Sequence, residues 1–360
     1  MPKKNGKTKY CNTLDKLAKM HNLLRQTFGI ATVVFMPLMV SISHAQNSSS
    51  TPDVGATMVH SAVNDSWHID KDFSITIPFE WAGGLPVVKV NIGGKEHKFL
   101  FDTAAPTIVP EELVSQLNLQ PVGAPKKLYD SAGRELDKTL YRLPLLKVGD
   151  VAFRDFVVVT GDFKRNFPFS CLGFDGILGY TFFKDLNIKL DYSNQKITLS
   201  DNGIPHARSI PVEISFEPVR GPLIEANFPF GNAYFEIDTG KNAGIQLGDP
   251  AVIPEFEKMG YVSRETRGTF SSSIGGVNID SLKVTYLAQN FSISPGLPIK
   301  SFPISVDKSG SFLVGNDFLK HFTIVLDFPN QKGTSVNSRF RLLRGGVDGF
   351  SPVPPDCFGS

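Results

Sequence analysis

The strongest constraint on this chain is that part of it occurs twice. Shifting the sequence by 136 positions lays Gly179 to Thr198, GYTFFKDLNIKLDYSNQKIT, over Gly315 to Thr334, GNDFLKHFTIVLDFPNQKGT, and ten of the 20 pairs are identical. Composition alone would give roughly one. The same shift puts Pro86 on Pro222, Asn91 on Asn227, and Asp102-Thr103 on Asp238-Thr239. A repeat of this length is one structural unit used twice. It predicts a first lobe over residues 68–202 and a second over 209–335, joined by the linker 203–208, GIPHAR. Residues 336–360, which carry Pro352-Val353-Pro354-Pro355, read as an irregular C-terminal tail.

Within each lobe, short runs rich in Val, Ile, Phe and Thr alternate with Gly, Asn and Asp turn signals: Phe73 to Ile77, Val87 to Ile92, His97 to Phe101, Val151 to Thr160, Asn187 to Asp191 and Lys196 to Ser200. Helical periodicity is scarce. Pro110 to Leu117, PEELVSQL, is the best short helix, with proline in its first turn. The fold class is all-β with minor helices.

The formal charge of +2 conceals an asymmetry. Seven of the basic side chains (Lys3, Lys4, Lys7, Lys9, Lys16, Lys19, Arg25) fall in residues 1–45 against the single acid Asp15, so the remainder is mildly acidic at −4. That remainder has no basic footprint for nucleic acid. After Arg25 come Phe28 to Ile42, FGIATVVFMPLMVSI, and then Ser43-His44-Ala45. A basic start, a short apolar run and small residues before Gln46 are the plan of a secretory signal peptide over residues 1–45. The run is shorter than the ~20 residues a bilayer-spanning helix needs and contains Pro37. The expectation is therefore an exported protein, periplasmic or secreted, with no stable membrane insertion after cleavage and a flexible lead-in over residues 46–67. Cys171 and Cys357 remain in the exported part and could pair; their spacing does not decide it.

The repeated Asp-Thr pairs carry the candidate chemistry. Phe99-Leu100-Phe101 runs into Asp102, and Tyr234-Phe235-Glu236-Ile237 runs into Asp238; each Asp-Thr precedes a small residue, Ala104 or Gly240. One such site alone reads as an Asx-turn closing a hairpin. Two sites related by a repeat are different, because a pseudo-twofold axis between lobes brings their carboxyl groups together. Two carboxyls about 3 Å apart cannot both ionise, so one proton is shared. The ionised member then acts as base on a water, while the protonated member hydrogen-bonds the carbonyl under attack. Thr103 and Thr239 would fix the carboxylates, with Ala104 and Gly240 letting backbone N–H groups approach.

These residues resemble the aspartic proteases. Hydrophobic-hydrophobic-Asp-Thr-Gly followed some 75 residues later by a hydrophobic pair and glycine is similar to that family's pattern, and here Ile177-Leu178-Gly179 and Leu313-Val314-Gly315 follow the two aspartates by 75 to 77 residues. The resemblance, over residues 85–332, is to a bilobal fusion of two retropepsin-like domains. It implies two pseudo-symmetric acid-protease-like β-barrel lobes with a cleft between them, Asp102 and Asp238 as catalytic dyad, and Gly179 and Gly315 packed behind the catalytic loops. It also implies a monomer hydrolysing peptide or protein substrates bound as an extended strand, with no metal and no cofactor. Flaps are expected in the hairpins that follow each aspartate: Asp130 to Gly133 beside Tyr129 in the first lobe, and Ser271 to Gly276 in the second.

Three positions depart from the pattern: Ala104 where the family usually has glycine, Lys241 where it has a small residue, and Phe312 where the first lobe has Gly176. A positive φ at Ala104 would strain the loop, and a lysine beside the dyad would favour two ionised carboxylates. They keep open a second reading, an inactive protease-like module that binds peptide or glycan in the cleft. A third reading makes both aspartates mere turn residues in a structural β-domain pair. No nucleophile-elbow serine and no His-Glu-x-x-His zinc motif occurs. N-terminal sequencing of the protein recovered after export is expected to read Gln46 first.

Overall fold

The computed structural model describes residues 68–69, 72–129, 134–164, 169–183, 186–205, 210–216, 221–267, 269–273, 276–280, 283–294, 297–327 and 338–344. Strands dominate, as the alternation of β-branched and aromatic residues with turn signals requires. The first half runs through β1 (Ser74–Pro78), β2 (Leu85–Ile92), β3 (Lys95–Phe101), β4 (Ile108–Pro110), β5 (Leu140–Val148), β6 (Val151–Gly161), β7 (Gly176–Leu178), β8 (Asn187–Asp191) and β9 (Lys196–Ser200). The second runs through β10 (Ile210–Phe216), β11 (Pro222–Phe228), β12 (Gly231–Ile237), β13 (Ile245–Leu247), β14 (Lys283–Ile293), β15 (Leu297–Val306), β16 (Leu313–Val314), β17 (Phe322–Asp327) and β18 (Ser338–Arg344).

Each lobe closes a six-stranded barrel, and the two barrels have one topology. In the first, the order is β2-β3-β7-β4-β6-β5, with β5 and β2 joined by Leu146 opposite Ile92. In the second it is β11-β12-β16-β13-β15-β14, closed where Ala226 lies opposite Ile293. Closure leaves no free sheet edge inside a barrel. The turn between β2 and β3 shows how sequence sets this geometry. Gly93 and Gly94 have φ of +61° and +81°, the two left-handed positions of a tight hairpin turn that glycine reaches without strain.

The sheet of the second barrel continues past β11 and joins the lobes. From there its order is β10-β18-β17-β8-β9-β1, so the lobes meet where β17 pairs with β8 along Ile188 to Leu326 and its neighbours. Strand β18 corrects the expectation of an irregular tail from residue 336: Ser338–Arg344 pairs with both β10 and β17. The expected helix at 110–117 is present as Glu111–Gln116, with Pro110 just outside as its N-cap at φ −59°. The segment 1–45, the lead-in residues 46–67 and Cys357 lie outside the described residues, and Cys171 is exposed. Among the described residues no helix is long and apolar enough to cross a membrane.

The core is continuous from one lobe to the other and rich in phenylalanine, with Phe99, Phe101, Phe153, Phe156, Phe182 and Phe235 fully buried. Tyr192, which follows β8, is buried against Phe79 and stacked on Trp81 at 5.7 Å. Its hydroxyl donates to Asn316 Oδ1 at 2.9 Å, and Asn316 Nδ2 donates to the Thr239 carbonyl at 2.7 Å. A first-half tyrosine thus holds the backbone beside Asp238. Replacing it, Tyr192→Phe, orphans a buried acceptor and is expected to cost about 1–3 kcal/mol, read from denaturant unfolding.

Candidate functional site

Both aspartates sit where a buried barrel strand ends. Asp102 follows β3, Asp238 follows β12, and each strand has the lobe's glycine element as a parallel neighbour. Leu100 and Phe101 lie beside Ile177 and Leu178, while Glu236 and Ile237 lie beside Leu313 and Val314. Asp102 N–H donates to the Leu178 carbonyl and Asp238 N–H to the Val314 carbonyl, both at 3.0 Å. One step on, Tyr180 N–H donates to the Ala105 carbonyl and Asn316 N–H to the Lys241 carbonyl, both at 2.8 Å. The two aspartate bonds are related by the 136-residue shift, so the repeat in sequence is a repeat in hydrogen bonding.

The threonines join the two loops. Thr103 N–H donates to Thr239 Oγ1 at 3.0 Å, and Thr239 N–H donates to Thr103 Oγ1 at 3.1 Å. Each hydroxyl then donates to the strand opposite: Thr239 Oγ1 to the Phe101 carbonyl at 2.7 Å and Thr103 Oγ1 to the Ile237 carbonyl at 2.5 Å. Each hydroxyl accepts one bond and gives one, which is what a hydroxyl can supply. Both side chains are fully buried. The exchange fixes the start of each loop against the other lobe.

How close the Asp102 carboxyl stands to the opposite loop is shown by Gly240. A Cβ there would lie 2.1 Å from Asp102 Oδ2, so the carboxyl of one lobe rests on the loop backbone of the other. Gly179 and Gly315 are required in the same way. A Cβ on Gly179 would lie 2.0 Å from the Ala105 carbonyl oxygen, and one on Gly315 would lie 2.3 Å from that of Ala243. Each of these glycines packs against the aspartate-bearing loop of its own lobe.

The three departures cause less disturbance than the sequence suggested. Ala104 is not among the residues with positive φ, so its methyl carries no left-handed strain. Phe312 is partly buried and packs edge-on against Phe235 at 6.0 Å. Its carbonyl still accepts Glu236 N–H at 2.9 Å, so the second glycine element keeps its backbone pairing. Lys241 does favour the ionised form of Asp238, but it is outweighed. Burial raises Asp238 well above the usual carboxylate range, followed by the charges of Asp102 and Glu236; Lys241 and the Gly240 N–H pull the other way. Burial also raises Asp102, against the Ala104 and Ala105 N–H groups, which donate to its Oδ1 at 2.9 and 3.0 Å. Two crowded carboxyls that both resist ionisation are suited to sharing a proton.

A two-stranded hairpin follows the aspartate in each lobe, Lys126–Tyr129 with Glu135–Lys138 and Thr269–Ser273 with Gly276–Asp280. The first returns through Glu135–Lys138, whereas Leu140-Tyr141 begins β5. Tyr129 occupies the end of the first hairpin's strand, and Gly133 lies outside the described residues. Among the described residues, no group of three or more His, Cys, Asp or Glu is placed to hold a metal ion. Sequence reasoning missed Glu236, Tyr180 and Asn316. Comparison across the repeat was the available signal for Glu236, since it stands where the first lobe has Leu100.

Thr239→Val removes a donor and an acceptor, leaving Thr103 N–H and the Phe101 carbonyl unpaired. Each orphaned group is expected to cost about 1–3 kcal/mol in denaturant unfolding, with Thr239→Ser close to the parent. The raised pKa of Asp238 has a definite sign in stability. The unfolded chain releases this proton at lower pH than the folded one, so stability present in acid is lost as pH rises through the folded value. Asp238→Asn removes that loss, and its melting temperature is expected to exceed the parent's at pH 7 while showing no such gain in acid.

Residues 88–182 match a protein-family model described as Aspartyl protease. No curated protein matches the chain. Among solved structures, the crystal structure of aspartic proteinase from Irpex lacteus is similar over 76% of this chain and 97% of that one, at 13% identity and a TM-score of 0.48. Two barrels of one topology, each with an Asp-Thr loop backed by its glycine element, give the chain a bilobal pepsin- and retropepsin-like fold, and its first lobe carries the aspartyl protease sequence signature.

Proposed function

We propose that the protein is an exported aspartic endopeptidase with Asp102 and Asp238 as its dyad. The observation that supports this reading is the buried Thr103–Thr239 exchange, which ties the two aspartate-bearing loops to one another. With one proton between them, the ionised carboxylate takes a proton from a bound water as it attacks the peptide carbonyl carbon. The protonated carboxyl hydrogen-bonds the carbonyl oxygen as it gains negative charge. Collapse of the tetrahedral intermediate returns a proton to the departing amine, breaks the C–N bond and restores the shared proton. No covalent enzyme intermediate is needed.

The cleft that the resemblance implies between the barrels would suit an extended substrate. A hairpin from each lobe is available to pair with its main chain, in the manner of added β-strands. Both halves of the dyad lie in one chain, which supports action as a monomer. Export rests on the sequence of residues 1–45, with its basic start, apolar run and Ser43-His44-Ala45.

The test is cleavage of a mixed peptide library from pH 3 to 8 by the parent, Asp102→Asn and Asp238→Asn. Activity is expected on the acid side, falling in strong acid when both carboxyls are protonated and again when the shared proton is lost. Each Asn variant should fall at least about a hundredfold with unchanged circular dichroism. Well-folded parent protein that cleaves nothing at any pH would overturn the reading in favour of a peptide- or glycan-binding cleft.

A further inference from the structure

The two halves of the site match in backbone but not in charge. Glu236 lies two residues before Asp238 on β12, so the two side chains share a strand face while Phe235 and Ile237 enter the core. The first lobe has Leu100 at the equivalent place, buried in an apolar cluster with Leu85. Where Leu85 stands in the first lobe the second has Gly221, and Gly221 N–H donates to Glu236 Oε1 at 2.5 Å. A Cβ on Gly221 would lie 2.4 Å from the Thr103 carbonyl oxygen and 3.1 Å from Ala104 Cα. An apolar leucine pair has been replaced by a carboxylate and the glycine that makes room for it, directly against the Asp102 loop.

The donors are unequal too. Asp102 Oδ1 accepts two backbone N–H groups, from Ala104 and Ala105, which favour its ionised form. The charges acting on Asp238 are Asp102 across the dyad, Glu236 on its own strand and Lys241 in its own loop, with the Gly240 N–H beside it. Burial and then Glu236 also push Tyr180, which opens the short helix behind the first catalytic loop, up to about 12.

We propose that Glu236 is a positioning residue that makes the dyad unequal, keeping the shared proton on Asp238 and leaving Asp102 as the base toward water. The assignment rests on the dyad reading above and adds direction to it: Asp102 takes the water proton, and Asp238 hydrogen-bonds the substrate carbonyl. It also extends activity toward neutral pH, because a negative charge beside Asp238 delays loss of its proton.

Glu236→Gln is the informative variant, because its amide oxygen still accepts Gly221 N–H while the charge is lost. The carboxyl carbons of Asp102 and Asp238 are followed by pH titration in protein labelled with 13C at the aspartate side chain, with signals assigned from Asp102→Asn and Asp238→Asn. The later-titrating step is expected to belong to Asp238 and to move down by about half a pH unit or more in Glu236→Gln. The upper limb of the kcat/KM profile should move down with it. Glu236→Leu, which installs the residue of the first lobe and abolishes the Gly221 bond, reports a purely structural role. If that variant loses activity while Glu236→Gln titrates like the parent, the proposal falls. A later step belonging to Asp102 also overturns it. The carboxyl titration needs no turnover. A shift without peptide cleavage would therefore defeat the endopeptidase reading alone, and cleavage without a shift would defeat the assignment of Glu236 alone.

Discussion

Thr103 and Thr239 exchange hydrogen bonds across a boundary buried between two barrels, and each hydroxyl also reaches a strand carbonyl of the other lobe. Each bond adds only about 1 kcal/mol in net terms, because the unfolded chain bonds to water instead. Losing one is the larger effect, since no alternative partner is built into a fully buried site. The exchange works only if both loops take the same path. That requirement accounts for the identical backbone bonds behind each aspartate, from Asp102 to Leu178 and from Asp238 to Val314. It also accounts for the glycines at 179 and 315, where a methyl group would meet backbone oxygen.

Within that symmetric frame, the chemistry is adjusted by unsymmetric residues. Gly240 is needed because the Asp102 carboxyl rests against it, while Ala104 keeps an ordinary backbone and its extra methyl. Lys241 and Glu236 act on Asp238 with opposite signs, and burial exceeds both. A lysine next to a buried carboxyl therefore need not force it to ionise. The balance depends on how far each charge is from the carboxyl and how much water has been removed from around it.

The repeat made much of this legible. Asp102, Asp238, both threonines and both glycine elements lie in short segments whose form is set locally, and each was present twice for comparison. What stayed hidden depends on pairing between distant segments. Strand β18 carries a basic and apolar alternation at Arg339 to Leu342, but the proline cluster beyond it suggested a tail, and its partners β10 and β17 are set by tertiary packing. In the sequence Glu236 reads as one member of an apolar strand, because only the fold reveals that its face is shared with Asp238. The joining sheet, built from both lobes, has no local signal.

That sheet bears on how such a chain is made. A ribosome finishes β8 and β9 long before β17, so a half-made protein holds a first barrel with the outer edge of β8 unpaired. An open strand edge is a template for any other strand, including the same edge on a neighbouring nascent chain. Its intended partner, Phe322–Asp327, belongs to the other copy of the repeat and meets it residue for residue, from Asn187 opposite Asp327 to Asp191 opposite Thr323. Duplication has thus made the chain its own dimer partner, and the hazard of two halves finding the wrong mates lasts only until the last strands emerge.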